Sequence, residues 1–214
     1  METLSGVERM RIVGGDLALD YVNTRSGPPD GPPDDDVLHG YEDVVAWASY
    51  VGMLTGSEAA RLGRQASTEP DEAQAVFRRA LRVRDDLDAL FRAAPAGGRP
   101  SARHLGRLRD DTAEAVAHAR LVPAEGGYRW RWTEPRDLGR PLWPVVHAAT
   151  ELLTAGPLDR IKACAGCRFL FVDESKNRSR RWCSMDDCGT AAKIRRYVAR
   201  RAASQRHALI TKRV

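Results

Sequence analysis

All four cysteines of this 214-residue chain lie within one 25-residue window. Cys164 and Cys167 stand two residues apart, fifteen residues follow, and Cys183 and Cys188 close the set. Two close pairs separated by a hairpin-sized gap supply four thiolates, the donor set of a tetrahedral structural zinc. The start of the chain lacks the basic and then apolar layout of a secretory signal, so a reducing, cytoplasmic setting is expected and disulfides are not. Iron and a redox dithiol pair are the other readings of these residues, and the ligand rules favour zinc over both. With four thiolates the site is closed, which argues against hydrolytic chemistry at the metal. A unit this small needs the metal to fold; site formation is worth about 10–16 kcal/mol in zinc-finger peptides.

Charge separates along the chain in the same place. From residue 164 onward there are thirteen Lys or Arg and four Asp or Glu, a balance of +9, whereas the whole chain carries +5 and residues 1–163 therefore carry −4. A localised basic module beside a mildly acidic body is the electrostatic footprint expected for contact with a polyanion. The candidate nucleic-acid contacts are Lys176, Arg178, Arg180 and Arg181 in a loop, with Lys193, Arg195, Arg196, Arg200 and Arg201 on a final helix. Positions 193, 196 and 200 share one helical face and can follow a phosphate backbone together. A solvated basic surface, or a face docked on the acidic body, is the alternative. Trp182 is expected to pack against the metal cluster rather than stack on a base.

Ahead of the cysteines, 43% apolar content and the hydrophobic periodicity give a helical body. Helices are expected over 41–54, from a Thr55–Glu58 capping box through 65, over 70–94 with Val76, Phe77, Leu81, Leu87, Leu90 and Phe91 as the inner stripe, over 101–118, and over 141–155. The Pro, Gly and Asp tract 26–36 reads as a mobile loop, and 95–100 as a turn. Alternation over 120–133, with Gly126 and Gly127 at the turn, reads as a β-hairpin laid on the helices. No run approaches eighteen apolar residues, so no membrane contact is expected. The boundary between body (1–157) and cysteine module (158–214) falls at Gly156-Pro157. Within the module, 169–172 reads as a strand, 173–179 as a hairpin loop, 180–182 as the return strand and 191–203 as a helix: a treble-clef-like finger. The fold class is thus mostly α with a small β-hairpin (α+β), followed by a zinc finger that ends in a basic helix. Polar groups in apolar stretches, Asp20, Asn23 and Arg84, form either a buried ion pair between Asp20 and Arg84 or an effector pocket.

Cys164-x2-Cys167, Phe171-Val-Asp173-Glu-Ser175-Lys176-Asn177, Arg180-Arg-Trp-Cys-Ser-Met185 and Cys188-Gly189 together resemble the CGNR zinc finger. Upstream, Gly15-Asp-Leu-Ala-Leu-Asp20-Tyr-Val-Asn23-Thr24 and Arg84 resemble the ABATE domain that precedes such fingers. The resemblance implies a bacterial transcription regulator. One departure stands out: the family tetrapeptide Cys-Gly-Asn-Arg reads Cys188-Gly189-Thr190-Ala191 here, which leaves the zinc ligands intact and removes an arginine from the head of the last helix.

The expectation is therefore a DNA-binding regulator with one structural Zn2+, whose helical body senses a small-molecule effector or forms a homodimer. The alternative is a zinc-stabilised module that binds RNA or protein. An enzyme is not expected, because no nucleophile and base pair up and every cysteine is committed to metal. His147 and Glu151, four apart on a helix, lack a third ligand.

Overall fold

The computed structural model describes residues 6–93, 98–132 and 136–211, with side chains described as far as residue 202. A short α1 (Leu17–Val22) starts on Asp16, whose carboxylate accepts from the Ala18 amide at 2.8 Å. After it come α2 (Tyr41–Tyr50), α3 (Gly56–Thr68), α4 (Pro70–Ala93), α5 (Ala102–Ala117) and α6 (Trp143–Ala155). The predicted capping box is present at the head of α3: Glu58 takes the Thr55 amide at 2.7 Å and returns its own amide to the Thr55 hydroxyl at 3.3 Å. Residues 95–97 of the turn expected over 95–100 lie outside the described residues.

On α4 the spacing of Val76, Phe77, Ala80, Val83, Leu87, Leu90 and Phe91 puts them on one buried face, and Leu81 lies half-buried beside it. That face packs against α1, α2 and α5, while α6 closes the body against α1 and α5. Tyr21 and Trp47 meet at the centre with rings 4.9 Å apart, both fully buried. The Tyr21 hydroxyl donates to the Ala80 carbonyl at 2.9 Å, so burial leaves no orphan there. On the outer side, Asp111 and Asp86 alternate with Arg79, Arg82 and Arg107 across α4 and α5, at 2.9–3.3 Å.

The predicted hairpin forms from β3 (Ala119–Ala124) and β4 (Gly127–Trp132), with Ala124 opposite Gly127. The turn residues are thus Glu125 and Gly126, one position earlier than the two glycines suggested. Gly126 has φ +74°, which a two-residue hairpin turn needs and a side chain resists. Nothing lies within 4 Å of a Cβ placed there. Gly126→Ala is therefore expected to cost about 1 kcal/mol through backbone strain alone, read as a shift in the thermal midpoint. Trp132 anchors the hairpin, donating its indole N–H to the Ala115 carbonyl at 2.9 Å, while Trp130 and Trp132 both set ring edges against His147.

Two short antiparallel pairs complete the fold. The first joins β1 (Arg25–Ser26) and β2 (Asp35–Asp36), the ends of the tract expected to be a loop. The second joins β5 (Ile161–Ala163) and β6 (Leu170–Val172). Here the sequence reading is corrected: the partner of β6 is the segment before the first cysteine pair, and 180–182 is not a strand. The Cys164–Cys167 turn itself closes the hairpin, the Cys164 amide donating to the Phe169 carbonyl at 2.8 Å. A π-helical turn (Met185–Gly189) then leads into α7 (Thr190–Thr211). Knuckle hairpin and helix give the treble-clef-like form. Ile161, Leu170 and Val172 belong to the same buried cluster as the helices, so the core runs across residue 157 without a break. Among the described residues no helix is long and apolar enough to cross a membrane.

Candidate metal centre and nucleic-acid interface

Strand alternation divides the labour on β6. Leu170 and Val172 face the helical body, whereas Phe171 packs with Cys164, Cys183, Val13, Phe169 and Trp182 around the sulfurs. Trp182 is half-buried in that cluster, in line with the packing role expected of it. The four Sγ atoms lie within 4.8 Å of one another. Two of the edges are 3.6 Å (Cys167 to Cys183) and 3.8 Å (Cys183 to Cys188). A zinc bound at about 2.3 Å by four sulfurs in a tetrahedron separates them by about 3.8 Å, which these two edges match. Gly166 lets the knuckle close, since a Cβ there would stand 2.9 Å from that of Cys188.

The chemistry of the donors points the same way. The Cys164 thiol is pulled far down by hydrogen bonds from Cys167 and Cys183, helped by the amides of Cys183 and Gly166, each 3.3 Å from its sulfur. Sharing those protons pushes Cys167 up to about 12 and raises Cys183 as well. Four thiolates cannot coexist here without a cation, and Zn2+ supplies the charge that lets all four lose their protons. Cys164, Cys167, Cys183 and Cys188 fit one structural zinc.

Behind the cluster, Asp173 ties the 173–181 loop together. Its carboxylate takes the Lys162 ammonium at 2.6 Å and the amides of Ser175 and Arg180 at 2.9 and 3.1 Å. Burial alone would raise its pKa; the Lys162 and Ser175 bonds outweigh that and hold it well below the usual carboxylate range. Arg180 lies over the Phe171 ring at 4.3 Å and donates to the carbonyls of Trp182, Cys183, Val172 and Val13. Its guanidinium is spent on carbonyls of the finger and on Val13 of the body. Of the other predicted contacts, Arg178 has φ +50° and pairs with Asp159, and Arg181 is exposed over Trp182. Lys176, Lys193, Arg195, Arg196 and Arg200 are exposed, and Arg201 reaches the Tyr197 hydroxyl at 3.3 Å. At the head of α7 the Thr190 hydroxyl bonds the Met185 carbonyl at 3.0 Å, and Ala191 is half-buried.

Asp20 and Asn23 lie where finger meets body, Arg84 is buried within the body, and Asp20 and Arg84 do not form an ion pair. Asp20 accepts the amides of Val13 and Gly14 at 3.0 and 2.7 Å, and the Gly14 carbonyl in turn accepts the Val172 amide at 2.8 Å. Burial raises the Asp20 pKa against those two amides. The Asn23 side chain pairs with both backbone groups of Leu170 at 2.9 Å, standing in for a strand beside β6. Arg84 pairs with Asp36 at 2.6–2.7 Å and with the Thr24 hydroxyl at 3.0 Å. Asp36, on the far side of the Pro-rich tract, is the nearer acceptor once β1 and β2 pair. Sequence reading missed Arg168, whose amide donates to the Gly27 carbonyl at 3.0 Å and whose guanidinium reaches Asp88 at 3.2 Å, binding the knuckle to α4. A lone arginine beside a cysteine pair gives no signal of that partner.

Residues 15–156 match the family model of the ABATE domain, described as "Putative stress-induced transcription regulator". Residues 160–201 match that of the CGNR zinc finger. None of the curated proteins matches the chain in sequence.

Proposed function

The chain belongs to the ABATE family and carries a CGNR zinc finger, and from that premise we propose that it is a DNA-binding transcription regulator. In this reading the finger contacts the nucleic acid, the helical body senses an effector or pairs with a second copy, and the protein performs no catalysis. The observation that carries it is the basic face of α7, where Lys193, Arg196 and Arg200 are exposed on one side of a helix rooted at the metal. Lys176 and Arg181 extend that surface onto the adjoining loop, while Arg180 supports the finger from within. Asp20, through Gly14 on Val172, and Asn23, on Leu170, serve the joint between finger and body, while Arg84 braces the body on Asp36 and Thr24.

These five phosphate contacts give a slope of roughly −4.5 for log affinity against log salt on duplex DNA. The zinc-loaded full chain is expected to show that salt dependence in fluorescence anisotropy. The triple substitution Lys193→Ala, Arg196→Ala, Arg200→Ala is expected to flatten the slope by about 3. Binding that ignores salt, or that survives the triple change, would overturn the reading. A second reading rests on the neighbouring stripe of α7: Ile194, Tyr197 and Val198 stay 57–60% exposed, which suits a protein partner. Structured RNA that outcompetes duplex DNA, or no polyanion binding at all, would favour an interaction module.

A further inference from the structure

A cleft of about 620 Å³ opens between β4, the α2–α3 turn and the head of α6. Its size is that of a small-molecule site. Apolar walls come from Trp130, Trp132, Met53, Leu54 and Pro144. Among the described residues the charged lining is unequal: Arg129, Arg131 and Arg140 against Glu58. Glu58 is oriented by its capping box and accepts from Arg140 Nη2 at 2.7 Å. Arg140 is 8% exposed, and its other terminal nitrogen, Nη1, is sealed from solvent without an acceptor. A guanidinium held this deep normally has every donor engaged.

We propose that this cleft is the effector site of the body, built for a small planar organic anion such as an aromatic carboxylate; this rests on the reading of the body as a sensor. The indoles of Trp130 and Trp132 flank the apolar part, and the arginine excess takes the carboxylate. When the Arg140 guanidinium turns toward the cleft, a ligand oxygen gives Nη1 the acceptor it lacks and a charge-assisted hydrogen bond forms. The cleft also touches the hairpin and the capping box together, so an occupant bridges these two elements.

The test uses the zinc-loaded full chain without DNA. Benzoate, 2-naphthoate and indole-3-acetate are titrated by calorimetry, with tryptophan emission followed for the first two. At least one should bind at one site per chain and saturate below about 1 mM. Neutral 2-naphthamide should bind at least roughly tenfold more weakly than 2-naphthoate, because it forgoes the charge-assisted contact. Trp130→Ala, at a half-exposed position, should weaken binding by about tenfold with the melting temperature kept, and Arg140→Gln should abolish the preference for the anion. If Arg140→Gln fails to fold, the Trp130 variant and the amide decide alone. No binding by any of the three acids, equal binding of acid and amide, or full affinity in Trp130→Ala overturns the proposal. DNA affinity is measured separately: naphthoate binding without DNA binding would leave the cleft standing and remove the regulator, and the converse would remove only the cleft.

Discussion

Chelating zinc from the intact chain is expected to unfold more than the finger. The purified protein should hold one zinc, and stripping it should lower the melting transition of the whole chain rather than release a separate, weaker one. The reason is the position of β6. Leu170 and Val172 are 1% and 7% exposed within the helical core, while Phe171 between them packs on the sulfurs. Without metal the four thiols must recover their protons, the knuckle loses its closure, and one strand cannot be half ordered. Site formation of about 10–16 kcal/mol in zinc-finger peptides bounds the effect, and a domain's whole stability is about 5–15 kcal/mol. Cys183→Ser should behave like the chelated protein in calorimetry and near-ultraviolet dichroism. If the chelated chain keeps its main transition and loses only the helicity of α7, the hairpin stands on the body without the metal.

Asn23→Ala is expected to cost roughly 2–6 kcal/mol, since it strands a buried N–H and a buried C=O, each worth about 1–3 kcal/mol. Both bonds go to Leu170, 147 residues away, at 2.9 Å, and Asn23 is 2% exposed. No neighbouring side chain duplicates them; Asp20 acts one turn earlier, through Gly14 on Val172. The denaturant midpoint should fall with an unchanged slope. A loss below about 0.5 kcal/mol would mean that water replaces the amide and that the joint is held by apolar contact alone.

How legible this was from sequence depended on range. The zinc ligands, the stripe on α4 and the capping box at Thr55 and Glu58 are local patterns, set by spacings of three to fifteen residues, and they could be read directly. The hairpin was legible too, but its turn was placed one residue late, because two adjacent glycines look alike and only the register with Ala124 separates them. Pairings between distant segments were not legible. Asp20 and Arg84 are both buried and oppositely charged, yet each is satisfied by another group, one by backbone amides and the other by Asp36. The strand opposite β6 was misassigned for a related reason: Arg180-Arg-Trp182 has strand-like composition, but Arg180 turns inward to bind carbonyls. Arg140 and Glu58, 82 residues apart, follow no periodicity at all.

The π-helical turn after Cys183 has a mechanical consequence. It carries the last sulfur ligand, Cys188, and ends where α7 begins. A helix of 22 residues extends about 33 Å from that root, so a rotation of about 10° there displaces its far end by roughly 6 Å. The metal therefore acts as the pivot of a lever, and the direction in which the cationic helix is aimed is set within one turn of Cys188, far from the charges it carries.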